Sequence, residues 1–164
     1  MKKALLSIMF TALTMSAGAQ NVDSTYVTND STTENSRVYD VTDQMPQFPG
    51  GQKALLEFLS KKIKYPGLAE KYGVEGRVIM VFIVEKDGSI SGIKAAGCKI
   101  QHFNTTKFSQ ETESRQKELK EQFALLFAKE GARVLRMTPK WIPGRNKGEI
   151  VRTKYTVPIT FRMR

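Results

Sequence analysis

The last fourteen residues of the chain alternate without a break. Val151, Thr153, Tyr155, Val157, Ile159, Phe161 and Met163 fall on one side. Arg152, Lys154, Thr156, Pro158, Thr160, Arg162 and Arg164 fall on the other. A period of two sends successive side chains to opposite faces of a strand. The segment therefore reads as one long β-strand with a buried face and a solvated face. That pattern belongs to an antiparallel sheet covered on one side only. Pro158 has no N–H to give to a ladder, which places the strand at a sheet edge or at a bulge.

The partners of that strand are visible further up the chain. Val78 to Val84 is an unbroken apolar run, five of its seven residues β-branched. It reads as a central strand, covered on both faces or with a partly apolar outer face. Asp87-Gly88 follows and predicts a type I′ hairpin turn. Ile90 to Ala96 is the return strand, weakened by Gly92. Val38 to Val41 reads as a short edge strand.

Helical periodicity lies on either side of the hairpin. Leu55, Leu56, Leu59 and Ile63 recur at helical spacing after the Pro- and Gly-rich approach Met45-Pro46-Gln47-Phe48-Pro49-Gly50-Gly51. Pro66 ends that helix and suits the first turn of a short second one running to Lys71, with Gly73 as its stop. Residues 100–117 are polar and read as loop. A helical pattern builds from Ser109 through Leu119, Phe123, Leu126, Phe127, Val134 and Leu135. Gly131 is a candidate break within it, and Pro139 ends it. Trp141 reads as a buried anchor, and Asn146-Lys147-Gly148 as a loop tip.

The first residues read as an address. Lys2 and Lys3 precede an uncharged, mostly apolar stretch, and Ala17-Gly18-Ala19 supplies small residues before Gln20. This is the layout of a secretory signal peptide over residues 1–19. Residues 20–37 are rich in Ser, Thr, Asn and Asp and read as a flexible acidic leader. The folded domain is expected over 38–164, with 100–122 as a surface insertion.

Charge follows the same division. The formal net charge is +10, but residues 20–49 carry −4 and residues 133–164 carry +8. Export argues against nucleic acid as the partner of this basic chain, and no aromatic residues interleave with its cations as a stacking platform requires. One His and one Cys cannot supply a zinc site of the usual N/S type, so no metal and no cofactor is expected. Cys98 and His102 lie four apart, but nothing near them in sequence would orient a thiol–imidazole pair. No nucleophile elbow, phosphate loop or H-E-x-x-H motif is present. No catalytic constellation is legible in these residues, so no enzymatic activity is expected.

In order along the chain come a helix, Tyr65-Pro66, a short helix, Gly76-x-Val78, a hairpin at Asp87-Gly88-Ser89-Ile90, a helix, Trp141-x-Pro143-Gly144 and the long final strand. Over about residues 45–164 this order resembles the C-terminal domain of TonB-family proteins. The Met45 to Gly51 leader is similar to the variant common in Bacteroidetes-type bacteria. The resemblance implies a two-layer α+β fold of the TonB/TolA C-terminal type, with helices packed on a three-stranded antiparallel sheet. It implies a periplasmic location and, as partners, TonB-dependent outer-membrane receptors that import siderophores, vitamins or glycans. The receptor's TonB box would add as a strand beside the last strand of the domain. Carried over residue by residue, the docking edge is Val151, Arg152, Thr153, Lys154, Tyr155, Thr156, Val157, Thr160 and Arg162, with Tyr65 and Pro66 close by.

Full-length family members carry a membrane anchor and a long Pro-rich spacer. Neither is expected here, so the chain reads as an energy-transducer component or as an unanchored adaptor. Membrane attachment is expected only if the first segment stays uncleaved. Peptidoglycan or anionic lipid, held by the basic C-terminal region, defines the alternative reading of a structural envelope-binding protein. A homodimer through the edge strand is a further candidate partnership.

Overall fold

The computed structural model describes residues 36–103 and 105–163, which belong to one compact unit spanning Ser31–Arg164. The signal segment 1–19 and the leader up to residue 35 lie outside the described residues. The apolar run becomes β2 (Glu75–Val84), the centre of the sheet. On one side it pairs antiparallel with β3 (Ile90–His102), and on the other with β5 (Glu149–Phe161). Two short strands complete the order. β1 (Val38–Tyr39) lies parallel to β5, and β4 (Gly144–Asn146) pairs antiparallel with its start. The sheet is therefore the expected antiparallel trio with two additions against its last strand.

Alternation decides which face is covered. Val78, Met80, Phe82 and Val84 of β2 and Val157, Ile159 and Phe161 of β5 point into one core. Helix α1 (Gly51–Lys62) brings Leu55 and Leu59 to it, and the short α2 (Gly67–Lys71) brings Ala69. After the short α3 (Thr105–Phe108), α4 (Glu113–Arg136) contributes Leu119, Phe123, Phe127, Val134 and Leu135. Phe127 stacks on Phe161 with ring centres 4.2 Å apart. Trp141, 3% exposed, fills the far end between Phe48, Phe82 and Tyr155. Burial of these rings and branched chains is the main force holding the helix layer to the sheet. The opposite face of the sheet carries no helix among the described residues. It exposes Arg77, Lys154, Thr156 and Pro158 around Val81, itself only 8% exposed. The architecture is α+β, with helices on one side of an antiparallel sheet.

Several local expectations change. The turn between β2 and β3 is not type I′. Its only left-handed residue is Gly88 (φ 82°), and Gly88 N donates to Glu85 O. This is a type I turn closed by a left-handed glycine. Asp87 need not take positive φ, because its carboxylate accepts from Ser89 N and Ser89 Oγ and fixes the turn from the side chain. The turn with two left-handed residues is Lys147-Gly148, between β4 and β5.

Residues 100–117 are only partly loop. β3 runs on to His102, α3 follows, and Thr112 caps α4 by accepting from Arg115 N. Gly131 does not break α4. It is buried where the helix crosses β2, and a Cβ there would lie 3.1 Å from Met80 Sδ. Leu56 is 56% exposed, since the helix turns it about 100° from Leu55.

Candidate functional site

The site of interest is the outer side of β5. Nine consecutive residues of β5 pair with β2 without a register shift, from Thr153↔Val84 to Phe161↔Gly76. Pro158 sits opposite Ile79. Lacking an N–H, it fits where the ladder asks for no donor, in a non-hydrogen-bonded pair. Such pairs alternate, so Lys154, Thr156 and Thr160 share its orientation and turn their backbone groups away from β2.

The first part of this outer side is already used. Val151 pairs with Gly144, while Arg152 and Thr153 pair with Val38 and Tyr39. Among the described residues no strand pairs with the outer side beyond Thr153. The open stretch thus runs from Lys154 to Phe161, shorter than the Val151 to Arg162 expected.

The basic row of β5 is partly engaged by its own chain. Arg152 Nε and Nη2 donate to the two oxygens of Glu85 at 2.6 and 2.9 Å, and Nη1 donates to Ser36 O. Arg152 thereby holds the Glu85 carboxyl below its ordinary range. Lys154 Nζ lies 2.9 Å from Asp40 Oδ1. Thr160 Oγ1 accepts from Arg77 Nε at 3.3 Å. Thr156 and Arg162 remain exposed, Tyr155 is half-buried against Trp141 and Phe82, and Val157 is buried in the core.

A groove of about 840 Å³ opens at the end of this edge. Ile63 and Tyr65 line it from the helix layer, Arg77 from β2, and Thr160 to Met163 from the end of β5. It brings Tyr65 together with Thr160 and Arg162, which are 95 or more positions away in sequence. Tyr65 also belongs to the fold. Its ring meets Phe127 and Phe161 edge-on, and its hydroxyl donates to Val74 O. Burial, with the charges of Glu75 and Glu70, pushes that hydroxyl up to about 12, so it stays protonated. Pro66 opens α2 with φ −66° and does not line the groove.

A second groove, of about 420 Å³, lies where the open edge begins, between Asp40, Met45, Lys154, Tyr155 and Thr156. Asp40 and Met45 are lining residues that no periodicity singles out, whereas Met163 lies on the alternating row and Ile63 on the helical one. Only the early position of Val38, a strand that had to pair somewhere, hinted that the segment after it would flank β5.

The remaining candidates separate. Cys98 and His102 both lie on β3, opposite Val78 and Glu75. Four residues along a strand put them roughly 13 Å apart. Burial pushes the Cys98 thiol up, away from a reactive thiolate. Among the described residues no three His, Cys, Asp or Glu side chains come together as a metal cage would require, and no helix is long and apolar enough to cross a membrane.

No protein-family model matches the chain, and no curated protein does. Among solved structures, the solution structure of the Helicobacter pylori TonB C-terminal domain (residues 179–285) is similar. It shares 20% identity, covers 71% of this chain and 87% of its own, and has a TM-score of 0.38. An overlap this loose fixes neither a family nor a function.

Proposed function

We propose that this protein is a non-catalytic periplasmic binding domain of the TonB type. It docks an extended segment of an outer-membrane receptor, the TonB box, as an added strand along Lys154 to Phe161. In that role it serves energy-coupled nutrient uptake, as a transducer component or as an adaptor. The motif order from Tyr65-Pro66 to the final strand supports this reading, and one structural contrast carries it. The sheet has two outer edges, and only one is suited to pairing. β3 shifts register against β2 at three places and exposes Lys94 and Lys99, devices that blunt an edge. β5 is regular over its nine pairs and open from Lys154 onward. Strand addition takes its affinity from main-chain hydrogen bonds, which a regular edge supplies.

The test is Thr156→Pro, titrated with a synthetic TonB-box peptide by calorimetry. The Thr156 N–H faces the open edge, so proline removes a donor to the incoming strand and no rung of the β2 ladder. Pro158 shows that the strand accepts proline at this parity. An affinity loss of about tenfold or more, with unchanged thermal stability, is expected, tenfold being about 1.4 kcal/mol. Equal binding by both proteins would remove the edge from the mechanism.

A second reading has its own observation. Arg77, Lys94, Lys99 and Arg162 are all exposed cations of the sheet and its C-terminal end. Such a surface suits an anionic envelope polymer such as peptidoglycan, or anionic lipid. Binding of that kind would weaken steeply between low and physiological salt and would ignore Thr156→Pro.

A further inference from the structure

The cations along the open face of β5 differ in what answers them. Near the start of the strand the protein supplies its own acids. Arg152 donates to both oxygens of Glu85, and Lys154 Nζ meets Asp40 Oδ1 at 2.9 Å. Near its end stand Arg77 and Arg162, both exposed. Arg77 lies level with Thr160 in the ladder and donates its Nε to Thr160 Oγ1 at 3.3 Å. Among the described residues neither of these two arginines forms an ion pair. Glu75, two residues before Arg77, gives an oxygen to Met163 N instead.

Asp40 shows how the first pairing is made. β1 runs parallel to β5 with Val38 level with Arg152, so Asp40, just past its end, comes level with Lys154. A strand laid against this side of β5 thereby delivers a carboxylate to a cation on the open face. The end of the edge repeats that arrangement without the acid. The larger groove is lined there by both faces of β5, Thr160 and Arg162 from the open one and Phe161 and Met163 from the other. It therefore lies along the flank of the strand, where an added strand runs. Its carboxylate among the described residues, Glu70, comes from α2 in the helix layer.

Resting on the strand-addition reading above, we infer that the docked segment carries a carboxylate level with Thr160, held by Arg77 and Arg162. A residue at that place has its Cβ about 5 Å from that of Thr160, with Arg162 as a diagonal neighbour within reach of a long side chain. The Arg77 guanidinium is already drawn toward β5 by its bond to Thr160. Guanidinium groups match a carboxylate in charge and in the spacing of their N–H donors. Main-chain pairing accepts any strand, so this contact supplies the register. A slip of one residue sends the carboxylate to the helix side, and a slip of two toward the start of the edge leaves it beside Pro158.

The experiment titrates the full chain with octapeptides of alternating Val and Thr, acetylated and amidated so that their ends carry no charge. One Thr is replaced by Glu near the first end, in the middle or near the last end, and each has a Gln control. At low ionic strength the Glu peptide of one end is expected to bind about fivefold more tightly than its control, while the middle pair differs by less than about twofold. The end that gains reports the direction of the docked strand. In Arg77→Gln and in Arg162→Gln that advantage should fall below about twofold. No gain at either end, an equal gain at all three positions, or a gain that survives both substitutions overturns the inference. Thr156→Pro separates this from failure of the docking mode. If it weakens every peptide, the edge takes a strand without the acid. If it weakens none, the strand-addition reading fails and the inference fails with it.

Discussion

Gly88 shows how closely single residues are fitted here. Its φ of 82° is one that an L side chain rarely adopts, and an added Cβ would lie 2.2 Å from Trp141 O. The contact has a purpose. Trp141 N donates to Gly88 O at 2.7 Å, so the hairpin tip and the Trp141 anchor hold each other. Gly88→Ala is expected to cost about 2–4 kcal/mol, read as a lowered midpoint in urea with an unchanged slope, because backbone strain and a steric clash act together. Tyr65 teaches a different lesson at the same scale. One residue serves the core through its ring and hydroxyl and the groove through its exposed edge. Residue type cannot separate those roles, since an amphipathic ring satisfies both.

Among the elements, the hairpin and the final strand are pinned by Glu85 and Arg152, whose side chains are 23% and 25% exposed. Arg152 holds the Glu85 carboxyl below its ordinary range, with Ser91 donating to it as well. A carboxyl whose folded pKa is depressed adds stability above its unfolded value, about 4.3, and loses it as pH falls. Glu85→Gln is therefore expected to cost about 1 kcal/mol at neutral pH, in line with a partly exposed pair. The gap to the wild type should begin to close as pH falls below that unfolded value and go on closing at lower pH, which denaturation curves at several pH values would reveal. A gap that stays constant with pH would assign the loss to packing instead.

The elements also show what the sequence discloses. The final strand was legible because alternation is local, and burial follows it from Val151 to Phe161. Pro158 marked an edge strand, and β5 is open beyond Thr153. The partial capping of that strand by Val38 and Tyr39 was not legible. A two-residue parallel strand has no periodicity to read, and its partner lies 114 residues away. The extension of β3 to His102 was hidden by its position. An outermost strand facing solvent, with bulges, carries polar residues and glycine that read as loop. The grooves escaped for a similar reason, because each is closed by residues far apart in sequence.

For the molecule as a whole, the helix layer and sheet form a rigid frame around one unfinished feature, an open and regular sheet edge with a groove at either end. The central claim is that this edge takes another strand. Residue-resolved amide hydrogen exchange by NMR, with and without the synthetic TonB-box peptide at saturation, tests it most directly. The amides of Tyr155, Val157 and Ile159 face β2 and should be slow in both states. Those of Thr156 and Thr160 should exchange freely alone and slow at least about tenfold with peptide bound. Protection appearing along Ile90–His102 instead, or at neither edge, would contradict the account.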